Sequence, residues 1–496
     1  MEAEKSGYKN ILKSTSLFGG VKFVQVFLNL VRNKIIAILL GPTGVGFNGL
    51  YQSTISIISN ITGLGLNFSA VRDISKANEG GDIAKLSRTI KIFRRWQILS
   101  VSLGFIVVVC FSGFLSRATF GSPSYSLMFA LLSLMLVFNA LSDSNASLLQ
   151  GTRSLKWYAF HTLTGTTVSL LISAPLYYIF GISGIVPALI LSALITWLFS
   201  LWYASKIKRV RVKVTMSETM KEGGEMVKLG VAMMLTTSLT ALANYLINIY
   251  IQSKGSIADF GLYQSGMSIT TQSVGLIFVS MAIDYYPKLA AVSDDNHKVQ
   301  NMVNQQAEIM LLIAAPILLL LMIAAPLAIR ILLSAEFLPI VKFIRIISIA
   351  LIFKSASYSI GAISFAKGDK KTFFLLEGIY TNSSIFLFSV AGYYFGGLNG
   401  LGYGFVLMHL IYFFLIIFIN GRLYEYKPSG HVFRILAVNI VASTAVFGIL
   451  SFPEGLISYT ASSVIFVLLA LYSFRQIDKV IDLKVLLKKV LPTGKR

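Results

Sequence analysis

Apolar stretches of roughly 20 residues, the length that crosses a hydrocarbon core at about 1.5 Å per residue, alternate with short polar connections along nearly the whole chain. They fall near 16–40, 45–71, 96–116, 124–148, 157–180, 182–204, 229–252, 258–285, 308–331, 341–366, 372–395, 398–421, 432–451 and 457–474. This pattern predicts an all-α, polytopic membrane protein with about 14 transmembrane helices. In some stretches the apolar run is interrupted at helical spacing. On a wheel of about 100° per residue, Lys22, Gln25, Asn29, Arg32 and Asn33 share one arc of the first span and leave the rest of its surface apolar. A cation at mid-bilayer costs about 2.5–3.5 kcal/mol on insertion scales, so two on one face predict a water-filled cavity or an anion before them.

The polar pattern is duplicated. Gly49-Leu50-Tyr51-Gln52-Ser53 recurs as Gly261-Leu262-Tyr263-Gln264-Ser265, followed by Ser56 against Ser268, Asn60 against Gln272 and Gly63 against Gly275. After a one-residue gap, Ser69 to Asp73 aligns with Ser280 to Asp284. An even number of spans separates the copies, so both enter the membrane in the same direction, as parallel six-helix repeats with a pathway expected at their interface. The predicted divisions are a first bundle over 1–205, a cytoplasmic linker over 206–228, a second bundle over 229–422, and two extra helices with a basic tail over 423–496. In the second copy Asn244 stands where the first has Arg32, with Asn248 on the same face. Gln52, Asn60, Gln264 and Gln272 read either as cavity lining or as the polar groups that join helices in bilayers.

Composition agrees with the pattern: 55% of residues are hydrophobic and 13% charged, against about a quarter charged in soluble domains. A net charge of +22 would point to nucleic acid in a soluble protein. Here most Lys and Arg lie in the N-terminus, the even-to-odd connections and the tail, which predicts cytoplasmic termini and no nucleic-acid partner. The basic residues of 82–95 read as an interfacial helix drawn to anionic lipid, or as a topology-setting cluster. The single cysteine, Cys110, excludes an intramolecular disulfide. The first apolar stretch has no cleavage pattern and is expected to remain as a span.

Two further cations sit on the tenth span, Arg345 near its outer end and Lys354 near its middle. Lys354 is read as cavity-facing, with a buried ion pair or a snorkelling side chain as the alternatives, and Asn139 is its loose counterpart in the first repeat. Asp73, Asp143, Asp284 and Glu377 all lie toward cytoplasmic span ends, so the predicted cavity is net positive and suited to phosphate or pyrophosphate. Arg32 is the leading ligand, because a guanidinium fork matches phosphate bidentately. His409, within the twelfth span, is either a satisfied core histidine or a proton relay. With Asp284 and Glu377 it forms the candidate set for sensing an H+ or Na+ gradient. Metal-ligand clusters, a P-loop and a nucleophile elbow are not found, so no cofactor and no bond chemistry are expected.

The segment Gly41-Pro42-Thr43-Gly44-Val45-Gly46 leading into Gly49-Leu50-Tyr51-Gln52, and Asp284-Tyr285-Tyr286-Pro287-Lys288-Leu289 after the eighth span, resemble the O-antigen flippases. These Wzx-type proteins form part of the polysaccharide transporter branch of the multidrug, oligosaccharidyl-lipid and polysaccharide exporter superfamily, beside the lipid II flippases. The resemblance implies alternating access in a V-shaped pair of bundles in the bacterial inner membrane. Its cargo would be an undecaprenyl-pyrophosphate-linked oligosaccharide moved from the cytoplasmic to the periplasmic leaflet. It also implies a cationic cavity, matched by Lys22 and Arg32, and a polysaccharide polymerase and chain-length regulator as partners. Two rival readings are an ion-coupled multidrug or toxin extruder and a membrane-embedded polymerase. The first wants a mid-membrane carboxylate on the first two spans; the second wants a sizeable outer loop or a paired acid and base there.

Overall fold

The computed structural model describes residues 2–452 and 455–481, with side chains over 20–21, 24–235, 237–275, 277–278, 285–452 and 455–479. Lys22 and Asp284 lie outside the described side chains. All regular structure among the described residues is helical. The first half comprises α1 (Glu2–Thr62), α2 (Leu66–Glu79), α3 (Ile83–Cys110), α4 (Ser112–Phe120), α5 (Ser126–Gly151), α6 (Leu155–Phe180) and α7 (Ile185–Ala204). The second comprises α8 (Met216–Lys254), α9 (Ile257–Ala291), α10 (Asn296–Leu332), α11 (Val341–Ala366), the short α12 (Lys370–Phe373) and α13 (Thr381–Tyr424). The chain then closes with α14 (Gly430–Ile449) and α15 (Leu456–Ile481).

Nine helical stretches among the described residues are long and apolar enough to cross a membrane. Val24–Thr62, Leu155–Ala204 and Lys370–Tyr424, of 39, 50 and 55 residues, hold two crossings each. The breaks within them fall at Gly41, at the 3-10 turn Gly181–Gly184 and at Gly396 and Gly397. Together with α9 and α11, which the apolar pattern also reads as spans, the helices accommodate the fourteen crossings expected. The first break has a local cause. Gly41 takes φ 63°, a region that costs a side-chain-bearing residue about 1–2 kcal/mol, and Pro42 has no amide hydrogen to continue the ladder.

By contacts the chain divides into two compact units, Met1–Gly261 with Leu332–Ser334, and Leu262–Ile331 with Ala335–Arg496. In the first, Leu66, Ile74, Leu86, Phe93, Leu148 and Met226 form a buried cluster joining α2, α3, α5 and α8. The basic residues of 82–95 open α3, and several face the connection into α8. Arg88 pairs with Glu218 and Glu222, Lys91 Nζ donates to the Val212 carbonyl at 2.7 Å, and Arg95 Nη1 donates to the Thr215 carbonyl at 2.9 Å. Their partners are therefore protein groups in addition to any lipid.

In the second unit α14 and the connection before it are tied back to α10. Asn304 Oδ1 accepts from Tyr426 Oη at 2.9 Å and from the Ser429 amide at 3.1 Å, and Asn439 Nδ2 donates to the Leu311 carbonyl at 3.2 Å. The tyrosines of the repeated pentapeptide are core residues in both units. Tyr51 packs its ring 5.4 Å from Phe129, and Tyr263 packs 6.1 Å from Phe343.

Candidate functional site

Each unit contains a cavity, and the two occupy corresponding places in the repeats. In the first unit α1, α5, α6 and α7 surround about 390 Å³, lined mainly by amides and hydroxyls. The α1 wall supplies Gln25, Asn29 and Arg32, the arc the helical wheel predicts. A recess of about 140 Å³ continues past Arg32 to Gln52, Ser192 and Thr196. Arg32 Nε is buried without a hydrogen-bond partner among the described residues, which leaves a directional donor beside the cavity for an oxyanion.

Two groups not counted among the candidate ligands belong to this wall. Asp143, expected at a cytoplasmic span end and out of play, is exposed to the same cavity as Arg32. The net positive cavity expected from the sequence therefore holds a carboxylate as well as Arg32 in this unit. His161 also lines it, with Nδ1 buried and unpartnered among the described residues. The missed signal was helical: Asn139, Ser142, Asp143 and Ala146 follow one another as a single face.

In the second unit α9, α11, α13 and the preceding turns enclose about 460 Å³. Lys354, Glu377 and His409, picked out separately from the sequence, line it together. Glu377 lies in a π-helical stretch, Phe374–Tyr380, whose wider turn re-aims the side chains around it relative to an α-helix. The Tyr412 hydroxyl donates to its Oε1. Most of the remaining wall is aromatic, with Tyr285, Tyr286, Tyr358, Phe365 and Phe373. Tyr285 Oη donates to the Ser359 carbonyl at 2.9 Å, which fixes that ring.

Arg345 departs from its predicted place in a cationic cavity. It is 5% exposed, and its Nε and Nη1 donate to the carbonyls of Met322 at 3.2 Å and Leu450 at 3.0 Å, so it ties α10, α11 and the end of α14 together. Asn60, Asn244, Asn248, Gln264 and Gln272 line none of these cavities. Gln272 Nε2 donates instead to Ser268 Oγ one turn back, and Asn244 is exposed.

The correspondence between the cavities is positional. Asn139, Ser142, Asp143 and Ala146 pair with Lys354, Ser357, Tyr358 and Gly361 at one constant offset along the chain. Tyr158, Thr162 and Thr166 pair with Phe373, Glu377 and Thr381 at the same offset. The turn that follows is copied in sequence and in backbone. Gly181-Ile182-Ser183-Gly184-Ile185 matches Gly397-Leu398-Asn399-Gly400-Leu401, with Gly181 at φ 58°, ψ -135° and Gly397 at φ 56°, ψ -142°.

This architecture has known counterparts. Among solved structures, the lipid II flippase MurJ in an inward closed conformation superposes with a TM-score of 0.72 at 14% identity, over 94% of this chain and 99% of its own. A multidrug resistance MATE family transporter of the MOP superfamily, inward-facing, gives 0.68 at 17% identity over 83% and 95%. In sequence, the lipid III flippases of Escherichia coli (strain K12) and Shigella flexneri are each 18% identical over 301 residues, covering 59% of this chain and 70% of theirs. The family described as polysaccharide biosynthesis protein matches residues 35–342. With its multi-pass helical fold and duplicated halves, the chain belongs to that polysaccharide biosynthesis protein family.

Proposed function

We propose that the protein flips an undecaprenyl-pyrophosphate-linked oligosaccharide, an O-antigen-like repeat unit, from the cytoplasmic to the periplasmic leaflet of the bacterial inner membrane, with both termini cytoplasmic. The observation that carries the reading is Arg32, a guanidinium with a buried unpartnered Nε in an amide- and hydroxyl-lined cavity of a chain in the polysaccharide biosynthesis family. A diphosphate cannot enter hydrocarbon without losing its hydration, and a polar cavity with a fixed cation replaces that solvation. Arg32 holds the pyrophosphate bidentately, while Gln25, Asn29, Gln52 and Asn139 take the adjoining sugar hydroxyls. The polyprenyl tail stays in lipid. Asp143 is the internal counter-charge that weakens the grip of Arg32 and lets the headgroup leave, and transport follows from unequal affinity in the two cavity-opening states.

Asp143 also favours a second reading, an extruder of organic cations, since a carboxylate in a transport cavity attracts them. One experiment separates the two. Purified protein in vesicles is given labelled polyprenyl-pyrophosphate glycan and, separately, a fluorescent organic cation, with proton and sodium gradients present or collapsed. Glycan flipping that is lost in Arg32→Ala supports the flippase. Cation transport that is lost in Asp143→Asn, with glycan untouched, overturns it.

A further inference from the structure

The wall of the second cavity contains a feature without a counterpart in the first. Tyr286 and Phe365 stack with ring centroids 4.6 Å apart at 28°, and Phe373 continues the row 4.9 Å from Phe365 at 34°. Phe365 is 47% exposed, so the row keeps open ring surface. At the place corresponding to Phe365 the first repeat has Gln150. The rings stand at the ends of α9 and α11, whereas Lys354 lies about 16 Å further along α11 at the rise of an α-helix. The cavity thus presents an aromatic platform at one end and Lys354, Glu377 and His409 deeper in.

We propose that this cavity is a glycan-binding site, in which Tyr286, Phe365 and Phe373 stack on one sugar ring of an oligosaccharide while Lys354, Glu377 and His409 hydrogen-bond the hydroxyls of a further sugar deeper in. The inference rests on the flippase reading and gives the sugars beyond those adjoining the diphosphate their own site, separate from the one assigned to the diphosphate. Three other occupants fit less well. An isoprenoid tail would dehydrate a lysine, a carboxylate and an imidazole and offer them nothing. A metal ion would want a cage of acidic or imidazole ligands, and no such cluster exists among the described residues; nor would it use the rings. An organic cation would suit the rings but would share the chamber with the ammonium of Lys354. A sugar satisfies both parts of the wall, because its C–H face is apolar and its rim is hydroxylated. The volume of about 460 Å³ lies within the usual range for small-molecule sites, which are likewise mostly apolar with a few placed polar groups.

The test uses the full chain in lipid nanodiscs and four probes, a lipid-free oligosaccharide released from a polyprenyl-linked glycan, inorganic pyrophosphate, farnesyl pyrophosphate and sodium, with affinities read by calorimetry. Phe365→Ala and Tyr286→Ala are expected to weaken oligosaccharide binding about tenfold and leave pyrophosphate affinity unchanged. Phe365→Leu, which keeps bulk but loses the flat face, is expected to behave like the alanine variant. Arg32→Ala should do the reverse, weakening pyrophosphate and sparing the oligosaccharide. The proposal is overturned if the Phe365 variants bind the oligosaccharide as the wild type does. It is equally overturned if those variants lose affinity for farnesyl pyrophosphate or for sodium instead. A wild-type protein that flips lipid-linked glycan but binds no free oligosaccharide would remove this site and keep the flippase. One that transports organic cations and no glycan would remove both.

Discussion

The two cavities share a scaffold and differ in chemistry. In the first unit the α5 face reads Asn139, Ser142, Asp143 and Ala146; in the second the corresponding face reads Lys354, Ser357, Tyr358 and Gly361. Small and hydroxyl positions persist, while the positions that carry charge or a ring have been exchanged. Polar groups in a membrane protein are costly unless they are hydrated or paired, so on the proposed reading two chambers walled so differently would select different partners. In that reading the first takes a hydrated, charged group on Arg32. The second suits a ligand with one apolar face and one polar rim. Duplication preserved the geometry of a chamber and left its specificity free to diverge.

The largest effect is expected where the contrast is sharpest. Arg32→Glu should lower glycan flipping about a hundredfold, since a charge-assisted hydrogen bond contributes about 1.5–3 kcal/mol and its reversal adds repulsion. Arg32→Lys should cost about tenfold, because the charge survives without the fork. Flux of labelled glycan in vesicles measures both, and an active Glu variant would erase the assigned difference between the chambers.

Arg345→Met tests whether a cation outside the chambers is only structural. The expected result is a loss of about 1–3 kcal/mol of stability as the Met322 and Leu450 carbonyls lose their donor, seen as a lower thermal midpoint with unchanged pyrophosphate affinity. Gly181→Val and Gly397→Val probe the shared scaffold. Both glycines have open space around them, so each change should cost only the strain of holding a β-branched residue in a backbone region used almost solely by glycine, about 1–3 kcal/mol. Thermal midpoints that fall by clearly different amounts would show that the duplicated turns are not equivalent. The smallest effect is expected for Asp143→Asn, which should tighten pyrophosphate about threefold in calorimetry by removing a counter-charge screened by cavity water. Weaker binding would mean that Asp143 helps hold the anion's partners in place.

Much of this architecture is written locally and was therefore legible. Apolar run length marks the crossings, Gly41 and Pro42 mark a break, and the wheel on the first span places Gln25, Asn29 and Arg32 on one wall. What the sequence concealed is non-local. Lys354, Glu377 and His409 each stood out as ionisable residues in apolar runs, but their meeting depends on the packing of separate crossings and on the π-helical stretch around Glu377, which no residue spacing announces. Arg345 was misplaced for a related reason. A cation near a span end looks the same whether it faces water or distant carbonyls, and Leu450 lies on another element. The partners of Arg88 and Lys91 are similarly remote in the chain. Asp143 was misjudged because its position along the span was weighed without the direction of its side chain.

The paired turns at Gly181 and Gly397 bear on how such a molecule changes its cargo over evolutionary time. Each turn is specified by backbone rather than by large side chains: Gly181 and Gly397 take the positive φ, and Gly184 and Gly400 let the turn close against the carbonyls of Leu176 and Gly392, so the lining residues further along the arms are not what shapes it. The arms behave as an exchangeable cassette hung on an indifferent hinge. Lining residues in one half could then be exchanged without altering the glycines that shape its turn. An engineer can do the same by grafting the inner face of one hairpin onto its duplicate.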